Sequence, residues 1–167
     1  TAETVVLPDT VTSVGDSAFR KCTALTSVTL SKNITAMGDA VFRDCPALTE
    51  VINMPETKRL PDFTFFGCTA LTSLPKLKGC TEYGSYSFAQ SGLVSADLTG
   101  ITSLGSYALS SCSSLSSVTG TGSLADIQEG AFSKCTALRA FTWPAGVSIM
   151  ATSVLSGSGL ESFTVPS

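Results

Sequence analysis

The sequence predicts a repeat solenoid of about seven coils, each of 22–23 residues, with a parallel β-sheet along one side. Three apolar columns predict it: a Phe or Leu recurs every 21–23 residues, a Leu recurs every 22–23 residues, and a third apolar position keeps phase with both. A unit this short cannot bury its own apolar face, so successive units stack and share one core. The columns are Phe19, Phe42, Phe65, Phe88, Leu109, Phe132 and Leu155; Leu25, Leu48, Leu71, Leu93, Leu115, Leu138 and Leu160; and Val14, Met37, Leu60, Tyr83, Leu104, Ile127 and Met150.

One half of each unit reads as a β-strand. In the segment 25–30, Val28 and Leu30 alternate with Ser27 and Thr29. This is the period-2 pattern of a strand with one solvent-facing side. Related segments follow other members of the Leu column, and strands stacked in register about 4.8 Å apart form a parallel sheet. We therefore expect one sheet to run along the solenoid.

The other half of each unit reads as a corner followed by a turn. In the segment 11–19, Val14 faces inward and Gly15 permits a sharp change of direction. Asp16 then lies where a short helical turn would need an N-cap. We therefore expect short helical turns or short strands on the other sides of each coil. The equivalents of Asp16 are Asp39, Asp62, Ser85, Ser106 and Thr152.

The cysteines follow the same period. Five of the six lie three residues after the Phe or Leu column, which predicts an internal ladder of buried thiols acting as small apolar fillers. Cys80 aligns with a different inward column, which includes Ile34 and Ile101. Disulfides between stacked neighbours are an alternative that needs a specific torsion. A zinc site needs convergent thiolates, usually in close pairs, and this spacing offers none. The five are Cys22, Cys45, Cys68, Cys112 and Cys135.

Composition argues against most chemistry. The chain contains no His, so the commonest general base and the commonest neutral metal ligand are missing. No glycine-rich phosphate loop occurs. A total of 10 Lys and Arg against 13 Asp and Glu gives a formal charge of -3, which disfavours non-specific nucleic-acid binding. No apolar run reaches the roughly 18 residues of a membrane span. We expect no enzyme, cofactor, metal, nucleic-acid partner or membrane insertion.

A binding surface is the better candidate for function, on the solvent side of the predicted sheet. Its side chains are small, polar and almost uncharged, and they include no aromatic anchor. Rows of hydroxyls could contact a polymer or an extended protein weakly at many points. The alternative is that Ser and Thr simply suit an exposed strand. The candidate residues are Ser27, Thr29, Glu50, Ile52, Ser95, Asp97, Ser117, Thr119, Ala140, Thr142, Ser162 and Thr164.

Two further features have both a functional and a structural interpretation. Lys58, Arg59, Lys76 and Lys78 could form a basic patch for an acidic partner, although scattered cations more often form a solvated face. Trp143 could stack on a sugar, but it occupies the inward position of Leu30 and Leu98 in their coils, which favours the core.

These residues resemble a known family. The run Val-Thr-Ser-Val-Gly-Asp-Ser-Ala-Phe-Arg-Lys-Cys-Thr-Ala-Leu-Thr-Ser-Val-Thr-Leu at 11–30 resembles the BspA-like leucine-rich repeats. The likeness extends over essentially the whole chain, because Ala-Phe, Cys and Leu recur together at fixed offsets. The pattern departs where Pro61 and Thr64 interrupt one unit and where Lys76 and Ser87 interrupt the next.

The resemblance implies a right-handed leucine-rich-repeat solenoid on a cell-surface or secreted protein. It also implies a non-enzymatic role in adhesion to host proteins, other cells or glycans. We expect residues 1–167 to form one solenoid domain within a longer chain, since neither end carries a polar cap. The alternatives are a stiff spacer that presents another domain and a repeat fragment of a larger surface hydrolase.

Overall fold

Of the seven coils within residues 3–166, five contain a back strand, a turn and a front strand; coil 3 lacks the front strand and coil 7 lacks the back strand, and the coils stack along one axis. A computed structural model describes residues 3–166 of the chain. The predicted repeat solenoid is confirmed, because equivalent residues of successive coils pair in parallel register. The coils are numbered here as residues 11–30, 34–53, 57–76, 80–98, 101–120, 124–143 and 147–165.

The front strands have three residues each, with the central side chain turned inward in the middle coils. Short strands suffice because they pair in parallel with the strands of neighbouring coils, not with a hairpin partner. They form three parallel sheets in the orders β1-β3-β5, β8-β10 and β12-β13. Parallel strands thus lie along this side as predicted, but they do not form one continuous sheet. The front strands are β1 (Thr4–Val6), β3 (Ser27–Thr29), β5 (Glu50–Ile52), β8 (Ser95–Asp97), β10 (Ser117–Thr119), β12 (Ala140–Thr142) and β13 (Ser162–Thr164).

The back strands have two residues each, and their second residue is the inward third apolar column. They pair as β2-β4 and β6-β7-β9-β11. The one helical element in residues 3–166 is a 3-10 turn at Thr121–Ser123, and no helix there is long and apolar enough to span a membrane. The back strands are β2 (Ser13–Val14), β4 (Ala36–Met37), β6 (Arg59–Leu60), β7 (Glu82–Tyr83), β9 (Ser103–Leu104) and β11 (Asp126–Ile127).

The turn side differs from the sequence prediction. The expected short helical turns are absent from residues 3–166, and each coil instead places two residues in the left-handed backbone region. In coil 2 these are Ala40 (φ 56°) and Asp44 (φ 59°). Their N–H groups donate to the carbonyls of Asp62 (2.8 Å) and Phe66 (2.7 Å) in coil 3. Bonds between coils thus add to single-turn bonds within a coil, such as Arg43 N–H to the Ala40 carbonyl at 3.1 Å, and offset the backbone strain.

The aspartates predicted as N-caps bind the next coil. The Asp16 carboxylate accepts the Asp39 N–H at 2.9 Å, Asp39 accepts the Asp62 N–H at 2.9 Å, and Asp62 accepts the Ser85 N–H at 2.8 Å. The N-cap interpretation was therefore wrong. The carboxylates form a ladder that ties successive coils together, because each accepts a backbone donor that the coil itself does not satisfy.

The three predicted columns form the core. Phe19, Phe42, Phe65 and Phe88 stack with ring centroids 5.4–5.5 Å apart and interplanar angles of 8–12°. Phe42, Phe65 and Phe88 have 0% exposure, whereas Phe19 in coil 1 is half-buried. Met150 was predicted to face inward, but it is 56% exposed, since coil 7 forms no back strand. Burial therefore weakens at the ends of the stack, where one neighbouring coil is missing.

The six cysteines are free thiols. Cys45, Cys68, Cys112 and Cys135 are buried, and Cys22 in coil 1 is half-buried, which confirms the ladder. Each of the four buried thiols donates to a backbone carbonyl in the preceding coil, at 3.0–3.2 Å. The thiols therefore fill the core and link coils without forming covalent bonds.

The buried thiols should make the chain less stable in alkali. Burial raises the pKa of Cys45 from 9.0 to about 11 and that of Cys135 to about 12. The unfolded chain loses these protons at lower pH than the folded chain, so unfolding is favoured as pH rises. The stability that the buried thiols contribute should be fully present below pH 9.0 and be lost as the pH rises from there through the raised values. Urea denaturation from about pH 7 to 11 measures this.

Alkylation provides the matching check. The native chain at about pH 8 should protect the four buried thiols, because the thiolate is the reactive form. Six groups should react without reductant once the chain is denatured. Finding two or fewer would overturn the free-thiol ladder.

Candidate binding surface

The front face consists of the outward side chains of the front strands. The structure places the predicted residues here in columns: Ser27 lies beside Glu50, Ser95 beside Ser117, and Ala140 beside Ser162. Ser27 and Thr29 are half-buried and the other ten predicted residues are exposed. The face is therefore a platform of small polar side chains at fixed spacing.

The carboxylates on this face are few. The side-chain and backbone hydrogen bonds from Thr99 lower the pKa of Asp97. Its Oδ1 accepts the Thr99 hydroxyl at 2.7 Å and the Thr99 N–H at 3.0 Å. Arg139 lies 3.4 Å from Glu161. Glu50 makes no ion pair with any residue in the described part of the chain.

Within the described chain, the front face is interrupted at two places: coil 3 has no front strand, and β10 does not pair with β12. Among residues 3–166, no backbone hydrogen bond joins Glu50–Asn53 to residues 72–77. Coils 2 and 3 are joined on one side of this gap by Ala70 N–H to Pro46 O (3.1 Å). On its other side, Thr57 N–H bonds to the Lys78 carbonyl at 3.3 Å. We call the gap between β5 and residues 73–75 the open seam.

A groove of about 550 Å³ occupies the open seam. Its base is apolar, with Leu71 at 1% exposure and Met54 at 8% exposure. Glu50 lines it on the β5 side, and Lys76 and Lys78 line it on the coil 3 side. The groove therefore combines an apolar base, a free strand edge and charges of both signs.

The four cations of the predicted basic patch lie at two places. Lys58 and Arg59 lie at the back strand β6, where they pair with Glu82 (3.2 Å) and Asp62. Lys78 pairs with Glu56 at 3.0 Å, beside the groove. Within residues 3–166, Lys76 makes no ion pair. Local carboxylates thus pair with three of the four cations, and the Lys76 ammonium remains available to a group on a binding partner.

Sequence reasoning missed a stack of aromatic rings on the turn side. Phe63 and Tyr86 lie 4.8 Å apart at 4°, and Tyr86 and Tyr107 lie 5.0 Å apart at 13°. The Arg43 guanidinium covers the outer face of Phe63 at 4.8 Å. A Cβ added at Gly130 would lie 2.3 Å from the Tyr107 ring. The ring faces are thus covered and only the edges are free, which suits packing better than sugar stacking. The 23- and 21-residue spacing of these rings was the available signal.

Trp143 belongs to the core, as its inward position predicted. It is 6% exposed, and its indole N–H donates to the Val147 carbonyl at 2.8 Å. In residues 3–166, no three His, Cys, Asp or Glu side chains form a group that could hold a metal ion.

Comparison with protein families identifies the repeat. A family model described as "BspA type Leucine rich repeat region" matches residues 1–100 and 93–167 with six copies. The comparison with curated proteins finds no match.

Solved structures agree with this match. The chain is similar to a leucine rich cell surface protein from Faecalibacterium prausnitzii, with 28% identity, a TM-score of 0.85, and coverage of 98% of this chain and 48% of that one. A leucine-rich repeat protein from Bacteroides ovatus has 24% identity, a TM-score of 0.73, and coverage of 94% and 50%. The T. pallidum leucine rich repeat protein has 25% identity, a TM-score of 0.61, and coverage of 97% of this chain and 69% of that one. The chain thus spans about half the length of the first two proteins.

Proposed function

Because the chain belongs to the BspA-type leucine-rich-repeat family, we propose that it is a non-enzymatic binding module of a cell-surface or secreted protein. Its front face contacts host protein or glycan. One observation supports this proposal most: within each of the three front sheets, the outward polar side chains keep the same register from strand to strand. The similarity to a leucine rich cell surface protein of F. prausnitzii supports the location.

The front face is preorganised for binding. The front side chains stand on a backbone fixed by the buried columns, so binding orders little of the protein. Each hydroxyl contributes a weak contact, and repetition along the axis raises the avidity for an extended partner. A ligand with repeated polar groups, such as a matrix protein or a glycan, fits this surface.

Glutamate substitutions at four front-face positions should abolish binding. The measurement is binding to a panel of immobilised matrix proteins and glycans, in which we expect a loss of at least about tenfold for any ligand that the unchanged chain binds. New carboxylates add bulk, and charge that must be desolvated, where a partner must approach closely. The four positions are Ser27, Thr29, Ser117 and Thr119.

A matched control carries the same change in charge on the opposite side. Glutamate at four exposed positions near the back strands should leave binding within about twofold. Equal loss in both variants would point to a general charge effect. Silence of the unchanged chain across the panel would favour a spacer role. The control positions are Thr12, Ser13, Ala36 and Ala125.

A further inference from the structure

We propose that the open seam between β5 and residues 73–75 docks an extended peptide segment of a partner protein, which joins β5 as an added strand. This inference rests on the proposed binding function and names a ligand class for one part of the front face. Three observations support it. The β5 edge is free, the segment of coil 3 that faces it cannot pair with it, and the groove between them has an apolar base with an unpaired charge at its rim.

The first observation is the free edge of β5. The Ile52 carbonyl accepts the Leu30 N–H at 2.9 Å, so it points back to coil 1. Residues along a parallel strand alternate their hydrogen-bonding direction. The N–H and C=O of Val51 therefore point into the open seam, where no described backbone group pairs with them. A row of free backbone groups is a template for another extended chain.

The second observation is that coil 3 cannot close the gap itself. Pro75 has no N–H to donate to a neighbouring strand. Leu74 and Leu77 are partly buried against the core and hold the segment inward. The front segment remains tied to coil 4, since the Thr72 carbonyl accepts the Val94 N–H at 3.1 Å. The gap is therefore a groove with β5 on one side and the front segment of coil 3 on the other.

The third observation is the chemistry of the walls. Leu71, Leu74 and Met54 give the slot an apolar base, which suits alternate apolar side chains of a strand. Lys76 at the rim has no carboxylate partner among residues 3–166 and favours an acidic side chain on the peptide's outer side. Glu50 on the opposite wall disfavours a second acid nearby. The occupant is thus a strand of alternating apolar and polar residues with one acid.

A fluorescent heptapeptide tests the proposal. The probe is Leu-Thr-Ser-Val-Glu-Leu-Ser, which copies residues 25–31 with Glu in place of Thr29. Fluorescence anisotropy should show saturable binding. Two N-methylated versions each block the amides on one edge of the strand. The version that blocks the edge facing β5 should lose at least about tenfold in affinity, and the other should still bind. Absence of saturable binding, or equal binding of both versions, overturns the proposal.

Two protein variants locate the site. Ser73→Phe fills the groove and should weaken peptide binding at least about tenfold, whereas Ser117→Phe, at the same repeat position in coil 5, should not. Lys76→Glu should weaken binding about fivefold and regain it when Lys replaces Glu in the peptide. Lys134→Glu is the charge control, since Lys134 lies away from the groove. Unchanged binding by Ser73→Phe, with its folding verified by thermal unfolding, overturns the site.

The two proposals fail separately. The four front-face glutamate positions do not line the groove, so that variant should still bind the peptide. Absence of matrix or glycan binding by the unchanged chain, with intact peptide binding, contradicts only the front-face function. Absence of peptide binding with intact matrix or glycan binding contradicts only the strand-docking proposal.

Discussion

Replacing Phe65 with alanine should lower the free energy of unfolding by about 3–5 kcal/mol. Phe65 has 0% exposure, and its ring lies 5.5 Å from Phe42 and 5.4 Å from Phe88. The change removes stacking on both sides and leaves a cavity in the middle of the column. Because each coil contacts only its neighbours, a gap at coil 3 also weakens the coupling between the two halves. Urea denaturation followed by circular dichroism measures the loss.

A second substitution at the same position separates packing from side-chain identity. Phe65→Leu should cost less than about 1.5 kcal/mol, since leucine nearly fills the site. Leu109 already occupies this column in coil 5 with 0% exposure. A cost for Phe65→Ala below about 1 kcal/mol would contradict a continuous, close-packed column.

Gly92→Ala should lower the free energy of unfolding by at least about 2 kcal/mol. A Cβ at Gly92 would lie 2.0 Å from the Thr69 carbonyl oxygen, and a rigid backbone atom of the adjacent coil cannot move aside cheaply. The close approach has a cause in the sequence. Ser91 precedes Leu93 by two residues, whereas Cys68 precedes Leu71 by three.

The shorter spacing pulls the Gly92 backbone onto coil 3. Its N–H donates to the Cys68 carbonyl at 3.2 Å, which requires the approach that only glycine allows. The same shortening recurs at Gly159, where a Cβ would lie 2.1 Å from the Thr136 carbonyl oxygen.

The control for Gly92 is a glycine with free space. A Cβ at Gly15 meets nothing within 4 Å, and its φ is not positive. Gly15→Ala should therefore raise stability by about 0.4–1 kcal/mol through the unfolded chain. Thermal unfolding of the two variants side by side measures the contrast. A neutral Gly92→Ala would mean that the coils are further apart than described.

The columns could be predicted from the sequence because they depend on one repeating cause. Phe65, Leu71 and Leu60 each recur at the period and each have exposures of 0–1%. The turn side could not be predicted in the same way. Asp39 at the start of a polar segment fits an N-cap, but its carboxylate bonds to the Asp62 N–H of the next coil. That choice depends on coil-to-coil geometry, which a local pattern does not contain.

The site could be predicted only in part. The front-face residues followed from period-2 alternation, and their placement on one side depends on the same strands. The open seam did not follow, although Lys76 in a core leucine position marked the disturbed unit. Whether the front segment of such a unit pairs with the preceding coil or leaves a groove depends on how Leu74 and Leu77 pack against the core. That packing involves residues far apart in the sequence.

Native-state hydrogen exchange at Val28 and Val51 tests the central claim most directly: β3 and β5 pair in register, and the pairing of front strands is broken after β5. Leu30 N–H donates to Ile52 O at 2.9 Å, so by strand alternation Val28 N–H pairs with the Glu50 carbonyl. Val51, at the same repeat position one coil later, points its N–H into the open seam. The account predicts that Val28 exchanges at least about 100-fold more slowly than Val51 in the free chain. Equal protection of the two amides would mean that coil 3 completes the sheet and that no strand-docking edge exists.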